Sequence, residues 1–274
     1  MKICALVVTY NNFEGLKKII DNLLSQTRKP DIVLVIDNAS EDITSEIRNL
    51  FPIKYVRLKE NTGSAGGYYE GLRLACELAD IVFVSDDDVL YELNVLEELE
   101  KSIVSLPEAS ALRCAWEGFT GSLPVVVESS VWTGTMIRNE IIKKIGLPLK
   151  ELFLYAEDIE YFLRMGKYGF KMYVIPSAKY KLRTFEHKME KKFLGRKIVF
   201  YKQPFRIYYA FRNEIYVAKL YHNIKEIVKT FFYAIRLSFV LRDREKILPV
   251  WEGIVDGFLN RLGKNEKYKI VRKD

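Results

Sequence analysis

Within its first hundred residues the chain alternates short apolar runs rich in β-branched residues with amphipathic stretches. Ile3–Thr9 reads as a strand and Phe13–Ser25 as a helix, with apolar positions at Leu16, Ile19, Ile20, Leu23 and Leu24. Ile32–Ile36 is a second strand, Thr44–Leu50 a helix, Lys54–Leu58 a third strand, Gly67–Leu78 a helix and Ile81–Val84 a fourth strand. Such alternation predicts a mostly parallel α/β sheet flanked by helices, with ligands outside the carboxyl ends of the strands. Polar residues gather at four such ends: Thr9-Tyr10-Asn11, Asp37-Asn38, Asn61–Gly67 and Asp86-Asp87-Asp88. One polar strand end is unremarkable, but four at successive strand ends point to a shared site.

The triplet Asp86-Asp87-Asp88 makes the strongest chemical demand. Three adjacent carboxylates repel one another, and partial burial sharpens that repulsion. A hard divalent cation, Mn²⁺ or Mg²⁺, takes oxygen ligands of this kind and bridges substrate phosphates. A solvated acidic turn is the alternative. At Asn61–Gly67 the small residues would let backbone N–H groups approach a phosphate or ribose, although glycine-rich strand-to-helix turns are also common as purely structural features. Asp37 reads equally as a ligand contact or as the start of an Asx turn.

The chain has 274 residues, enough for one large domain or one domain with an appendage. Its 49% hydrophobic and 29% charged residues describe a globular protein. Cys4, Cys76 and Cys114 are widely spaced, which favours free thiols and a reducing cytoplasm over a disulfide framework. The apolar run at the amino end is too short for a signal peptide, and no run is long enough for a membrane span. Charge is uneven. Residues 1–178 hold 19 Lys+Arg against 26 Asp+Glu, net −7, whereas residues 179–274 hold 24 against 10, net +14. The basic third calls for an anionic partner, a membrane surface or polyanionic acceptor before nucleic acid.

Further along, Ala111–Trp116, Val125–Val127 and Val131–Ile137 read as less regular strands. Leu152–Tyr155 is strand-like and leads into a helix at Ala156–Tyr168. After Pro204 the pattern is helical, aromatic and basic.

Several short motifs in order resemble the inverting family 2 glycosyltransferases. On the donor side they are Val8-Thr9-Tyr10-Asn11, Ile36-Asp37-Asn38-Ala39-Ser40, Glu60-Asn61-Thr62-Gly63 with Ala65-Gly66-Gly67, and Asp86-Asp87-Asp88-Val89. On the acceptor side they are Gly134-Thr135-Met136-Ile137-Arg138, Lys144–Pro148, Leu152–Glu160, Leu163-Arg164, Gly169-Phe170-Lys171 and Ile175-Pro176. The likeness spans roughly residues 3–215, and galactofuranosyltransferases and rhamnosyltransferases are the most similar members.

This resemblance implies a GT-A nucleotide-sugar-binding fold over 1–203, with a donor half at 1–100 and an acceptor half at 101–203, followed by a helical region at 204–274. It implies donor contacts from Thr9, Tyr10, Asn11, Asp37, Asn61, Gly66, Gly67, Asp86 and Asp87. Asp88 and Asp86 would hold the Mn²⁺ or Mg²⁺, with His187 a further metal ligand or an ordinary surface histidine. Asp158 would be the general base, or else a carboxylate favoured at a helix start by the helix dipole. Trp132, Gly134 and Glu157 would face the acceptor; Trp132 and Trp116 could stack on sugar rings, although tryptophans of this kind are more often core.

The implied activity moves a sugar from a UDP-galactofuranose or dTDP-rhamnose type of donor to a cell-surface glycan or lipid-linked acceptor. The expected location is the cytoplasmic face of the membrane. A nucleotidyltransferase or a non-catalytic nucleotide- or carbohydrate-binding module would be the alternatives. The basic aromatic helices would pack, join copies of the chain, or lie on an anionic membrane.

Overall fold

The computed structural model describes residues 1–182, 188–193, 195–241 and 243–270. It divides into two compact units, residues 1–150 with 158–183, and residues 151–157 with 184–274. The expected boundary at residue 203 would leave the segment 188–201 with the sheet, whereas the structure groups it with the carboxyl helices.

The first unit is built on β1 (Ile3–Thr9), α1 (Phe13–Leu24), β2 (Ile32–Asp37), β3 (Lys54–Arg57), α2 (Gly63–Leu78), β4 (Ile81–Asp86), β5 (Val89–Tyr91) and α3 (Val95–Ser105). It continues through β6 (Ala109–Trp116), β7 (Val125–Val127), β8 (Thr135–Arg138), α4 (Asn139–Ile145), α5 (Glu157–Lys167) and β9 (Lys171–Leu182). The strand order is β3-β2-β1-β4-β8-β6-β9-β5, with β7 on β9. β3, β2, β1 and β4 run parallel, and β8 enters antiparallel beside β4.

Alternation along the strands fills both faces of the sheet. Ile3, Ala5 and Val7 face a core closed by α1 and α3. Cys4 and Leu6 face a second core closed by α2, α4 and α5. The register sets Thr9 beside Asp37 and Val8 beside Asp86, so three polar strand ends lie side by side.

Three local expectations change. The glycine-rich segment is the first turn of α2 rather than a loop before it, because α2 begins at Gly63. The reason is packing: a Cβ on Gly67 would come within 2.5 Å of Val8 Cγ1, and one on Gly71 within 2.6 Å of Leu6 Cδ1. The helix lies this close to β1 only because those side chains are absent. The expected helix at Thr44–Leu50 is a 3₁₀ helix, Ile43–Asn49, capped by Asp42 and anchored by buried Thr44 and Ile47. Leu152–Tyr155 is not a strand. A short 3₁₀ turn ends at Leu152, and Phe153, Tyr155 and Ala156 take left-handed backbone angles of +62°, +71° and +63°.

The second unit pairs β10 (Lys188–Phe193) with β11 (Arg196–Tyr201) in an antiparallel hairpin, followed by α6 (Pro204–Leu220), α7 (Ile224–Leu241) and α8 (Arg244–Phe258). Ile207, Phe211 and Ile215 of α6, Leu237 of α7 and Val250 and Ile254 of α8 form its core with Ile198 and Phe200. No helix among the described residues is long and apolar enough to cross a membrane.

Candidate active site

The carboxyl ends of β1, β2 and β4 are knitted together by their own polar side chains. Thr9 Oγ1 donates to Asp87 Oδ2 at 2.6 Å, and the N–H of Asn38 donates to the Thr9 carbonyl at 2.9 Å. Asn11 is left-handed; its N–H donates to Ser40 Oγ at 2.8 Å, and its Oδ1 accepts from the N–H of Glu41 at 2.6 Å. Tyr10 follows β1 half-buried.

Asp37 is fully buried. Its Oδ1 accepts from the N–H of Ser40 at 2.8 Å, the Asx turn weighed from the sequence, and its Oδ2 accepts from the Tyr55 hydroxyl with Arg57 Nε 3.9 Å away. Asn38, the second polar residue of this strand end, ties it to α2. Its Oδ1 accepts from the N–H and hydroxyl of Thr62 at 2.9 and 3.0 Å, and its Nδ2 donates to the Gly63 carbonyl at 2.8 Å. Asn61 Oδ1 accepts from the N–H of Gly63 at 2.8 Å. Two N–H groups of the glycine-rich segment are therefore bonded within the protein. Asn61 serves as a local cap, and Gly66 gives room to the Thr62 side chain.

The acidic triplet straddles the end of β4. Asp86 Oδ1 accepts from the Tyr68 hydroxyl of α2, and Oδ2 accepts from the Thr133 hydroxyl. Tyr68 is held in turn by Trp132, whose ring centroid stacks 4.9 Å away. Trp132 is only 3% exposed and also packs on Tyr161 and Phe162, so it offers no open ring face to a sugar, contrary to its expected acceptor role. Gly134 has φ +68°, and a Cβ there would come within 3.1 Å of Cys114. Its N–H donates to the Val84 carbonyl at 3.0 Å, fixing the chain directly after Thr133 beside the end of β4. Gly134 thus acts through the backbone. Burial is the main cause that raises the Asp87 carboxyl to about 6, and Asp86 adds to it against the bond from Thr9. Asp88 lies half-buried in the turn between β4 and β5.

Asp158 is the second residue of α5, and its Oδ1 accepts from the N–H of Ile159 at 2.7 Å. Burial raises its carboxyl to about 6, the nearby charge of Asp86 adds to the rise, and Arg113 opposes it. The end of β4 and the start of α5 therefore share one electrostatic neighbourhood. Arg113, on β6, is a site residue that sequence reasoning missed. Its guanidinium lies 5.1 Å from the ring centre of Trp116, which is 41% exposed at the end of the same strand. They stand three residues apart, which in a regular strand would face them oppositely, and the register shift between Cys114 and Ala115 lies between them. Glu157 is buried. His187 lies outside the described residues.

A second missed pair belongs to the carboxyl unit. Arg212, fully buried on α6, donates through Nη2 to the Leu152 carbonyl at 2.8 Å and through Nη1 to the Gly263 carbonyl at 2.6 Å. Asn213 Nδ2 lies 2.8 Å from each of the carbonyls of Leu152, Leu154 and Tyr155. Left-handed angles at non-glycine residues cost about 1–2 kcal/mol each. The two side chains hold the strained segment that runs into Glu157 and Asp158.

Among the described residues no group of three or more His, Cys, Asp or Glu is placed to hold a metal by itself. Asp86 and Asp88 are oxygen donors suited to a hard cation that takes one or two carboxylates and completes its shell with substrate phosphate, not to a cage made of protein alone.

The family model for glycosyl transferase family 2 matches residues 4–144, just over half of the chain and all of the acidic strand end. Galactofuranosyltransferase GlfT1 of Mycobacterium tuberculosis is 27% identical over 301 residues, covering 96% of each chain. The dTDP-rhamnosyl transferase RfbF of Shigella flexneri is 24% identical, covering 82% of this chain and 84% of its own. Among solved structures, GalNAc-T7 with UDP, GalNAc and Mn²⁺ superposes with a TM-score of 0.63 at 13% identity, over 80% of this chain and 48% of that one. The fold is thus the GT-A fold, and the chain, a glycosyltransferase, belongs to glycosyl transferase family 2.

Proposed function

We propose that this enzyme transfers a sugar, with inversion, from a nucleotide-diphosphate donor of the UDP-galactofuranose type to a glycan or lipid-linked acceptor. The donor class is supported by the end-to-end likeness to galactofuranosyltransferase GlfT1. A dTDP-rhamnose type of donor is the second reading, supported by the likeness to RfbF.

The reading rests on the nearness of Asp86, at the end of β4, to Asp158, at the start of α5, close enough for its charge to help raise the Asp158 carboxyl. Asp158 takes the proton of the acceptor hydroxyl as that oxygen forms its bond to the anomeric carbon. The bond from that carbon to the donor diphosphate breaks on the opposite face, and the nucleoside diphosphate leaves with the bonding pair. A carboxyl raised toward neutrality is matched to this task, since a base works best with a pKa near the working pH. Asp87, fixed by Thr9, faces the donor nucleoside in this reading. Asp88 with Asp86 would hold Mn²⁺ or Mg²⁺, and Mn²⁺ accompanies UDP in the GalNAc-T7 structure. When bound, such an ion neutralises charge on the departing diphosphate.

The net charge of +14 over residues 179–274 supports peripheral contact with an anionic membrane, hence work at the cytoplasmic face on a membrane-borne acceptor. The test is a donor screen read as nucleotide release. UDP-galactofuranose with Mn²⁺ or Mg²⁺ is expected to react fastest and chelator to abolish the reaction. Equal release with chelator present would overturn the metal assignment, and preference for dTDP-rhamnose would move the donor.

A further inference from the structure

We infer that α7 is the element that lies on an anionic lipid surface; this rests on the membrane contact proposed above and names where it is made. Every exposed position of α7 is either apolar or basic. The apolar ones are Ile224, Val228, Phe232, Ile235 and Phe239, between 43% and 73% exposed, and the basic ones are Lys225, Lys229 and Arg236. At 100° per residue the five apolar side chains fall within an arc of about 80°, and the three cations occupy the next 40° or so. The remaining arc carries Thr230, Ala234, Leu237, Val240 and Leu241, which are buried in the unit's own core.

An ordinary surface helix exposes charges of both signs and buries its apolar stripe. α1 does this, exposing Glu14, Lys17, Lys18 and Asp21. α7 instead has two apolar faces, one spent on α6 and α8 and one presented outward beside a strip of cations. Its one acid, Glu226, is half-buried and bridged to Lys229 at 2.8 Å. Apolar side chains in the acyl boundary with cations at the headgroups is the arrangement of an interfacial helix. The helix is about 27 Å long by its 18 residues, room for all eight side chains to engage one plane. A second copy of the chain suits the face less well, since a two-fold contact would gather six cations in one patch.

The test is co-sedimentation of the full chain with vesicles of phosphatidylcholine, with or without phosphatidylglycerol. The wild type is expected to bind the anionic vesicles and to be weakened, not released, by salt, because apolar insertion is not screened. Lys225→Glu with Arg236→Glu, which spares the Lys229 bridge, should weaken binding about 30-fold or more, at about 1 kcal/mol per cation. Phe232→Ser with Ile235→Ser should remove the salt-resistant part. Thermal melting and UDP binding of each variant confirm its fold.

Wild-type binding that neither variant weakens overturns the assignment to α7 and leaves the membrane reading standing. No binding by the wild type overturns both. A wild-type dimer that the Phe232→Ser, Ile235→Ser protein loses would give the face to a second copy and overturn the inference.

Discussion

The two carboxylates that define the site are held in opposite ways. Asp86, at the end of β4, has a hydroxyl donor on each oxygen, Tyr68 on one and Thr133 on the other. Asp158, at the start of α5, accepts the N–H of its own neighbour, and burial with the charge of Asp86 raises it to about 6. Two hydroxyls aimed at one carboxylate fix its orientation, whereas burial beside another negative charge favours the neutral form of the second. Environments that treat two acids so differently divide an anchor from a proton acceptor. Asp86 is fixed in orientation by its two hydroxyl partners, whereas the Asp158 carboxyl is raised toward neutrality.

The strongest way to break the comparison is Asp158→Asn, which keeps size and loses the proton-accepting oxygen. Transfer should fall by about 10²–10⁴ while UDP affinity changes little, measured by single-turnover transfer beside calorimetric titration. The reciprocal change acts on the anchor. Thr133→Val removes one hydroxyl from Asp86 and should weaken Mn²⁺-dependent UDP binding by about 10–100-fold, the usual cost of losing a group that orients a metal ligand. Full-strength binding by Thr133→Val would show that the hydroxyl does not matter to the anchor.

A smaller effect tests what holds the acceptor side. Asn213→Ala strips the amide from three carbonyls of the strained segment before Asp158. It should lower stability by about 1–3 kcal/mol in denaturant melts, the cost of unpaired buried polar groups. Transfer should fall more than UDP binding, because the segment that Asn213 holds runs directly into Asp158. The smallest effect concerns α2. Gly67→Ala puts a methyl into Val8 and should cost about 1–3 kcal/mol, with transfer per folded molecule nearly unchanged. A large loss of UDP affinity would instead give Gly67 a part in donor binding.

The strands and the acidic strand end were legible because their signals are local: short continuous apolar runs that stop at polar residues. The order of motifs carried Asp158. What escaped was long-range. Tyr68 and Thr133 reach Asp86 across 18 and 47 positions, and Asn213 reaches the segment before Asp158 across about sixty. No spacing rule connects such pairs. For Trp132 the sequence left core and acceptor readings open, since its exposure depends on where Tyr68, Tyr161 and Phe162 pack. The glycines of α2 looked like a ligand loop because a turn and a helix packed tightly on a strand ask for the same residue. The carboxyl helices showed helical aromatic spacing, but only the fold tells which face of α7 stays outside.

The most direct test of the division between anchor and base is the pH dependence of kcat/KM for transfer at saturating Mn²⁺. A base is competent only when deprotonated, so the rate should climb about tenfold per pH unit up to the Asp158 pKa and level off above it. That pKa is about 6 without the cation and lower once Mn²⁺ offsets the Asp86 charge. Asp87 is raised to a similar value, and Asp158→Asn separates the two. The account predicts that the acidic limb disappears from the residual activity of Asp158→Asn. An unchanged acidic limb in that variant would contradict it.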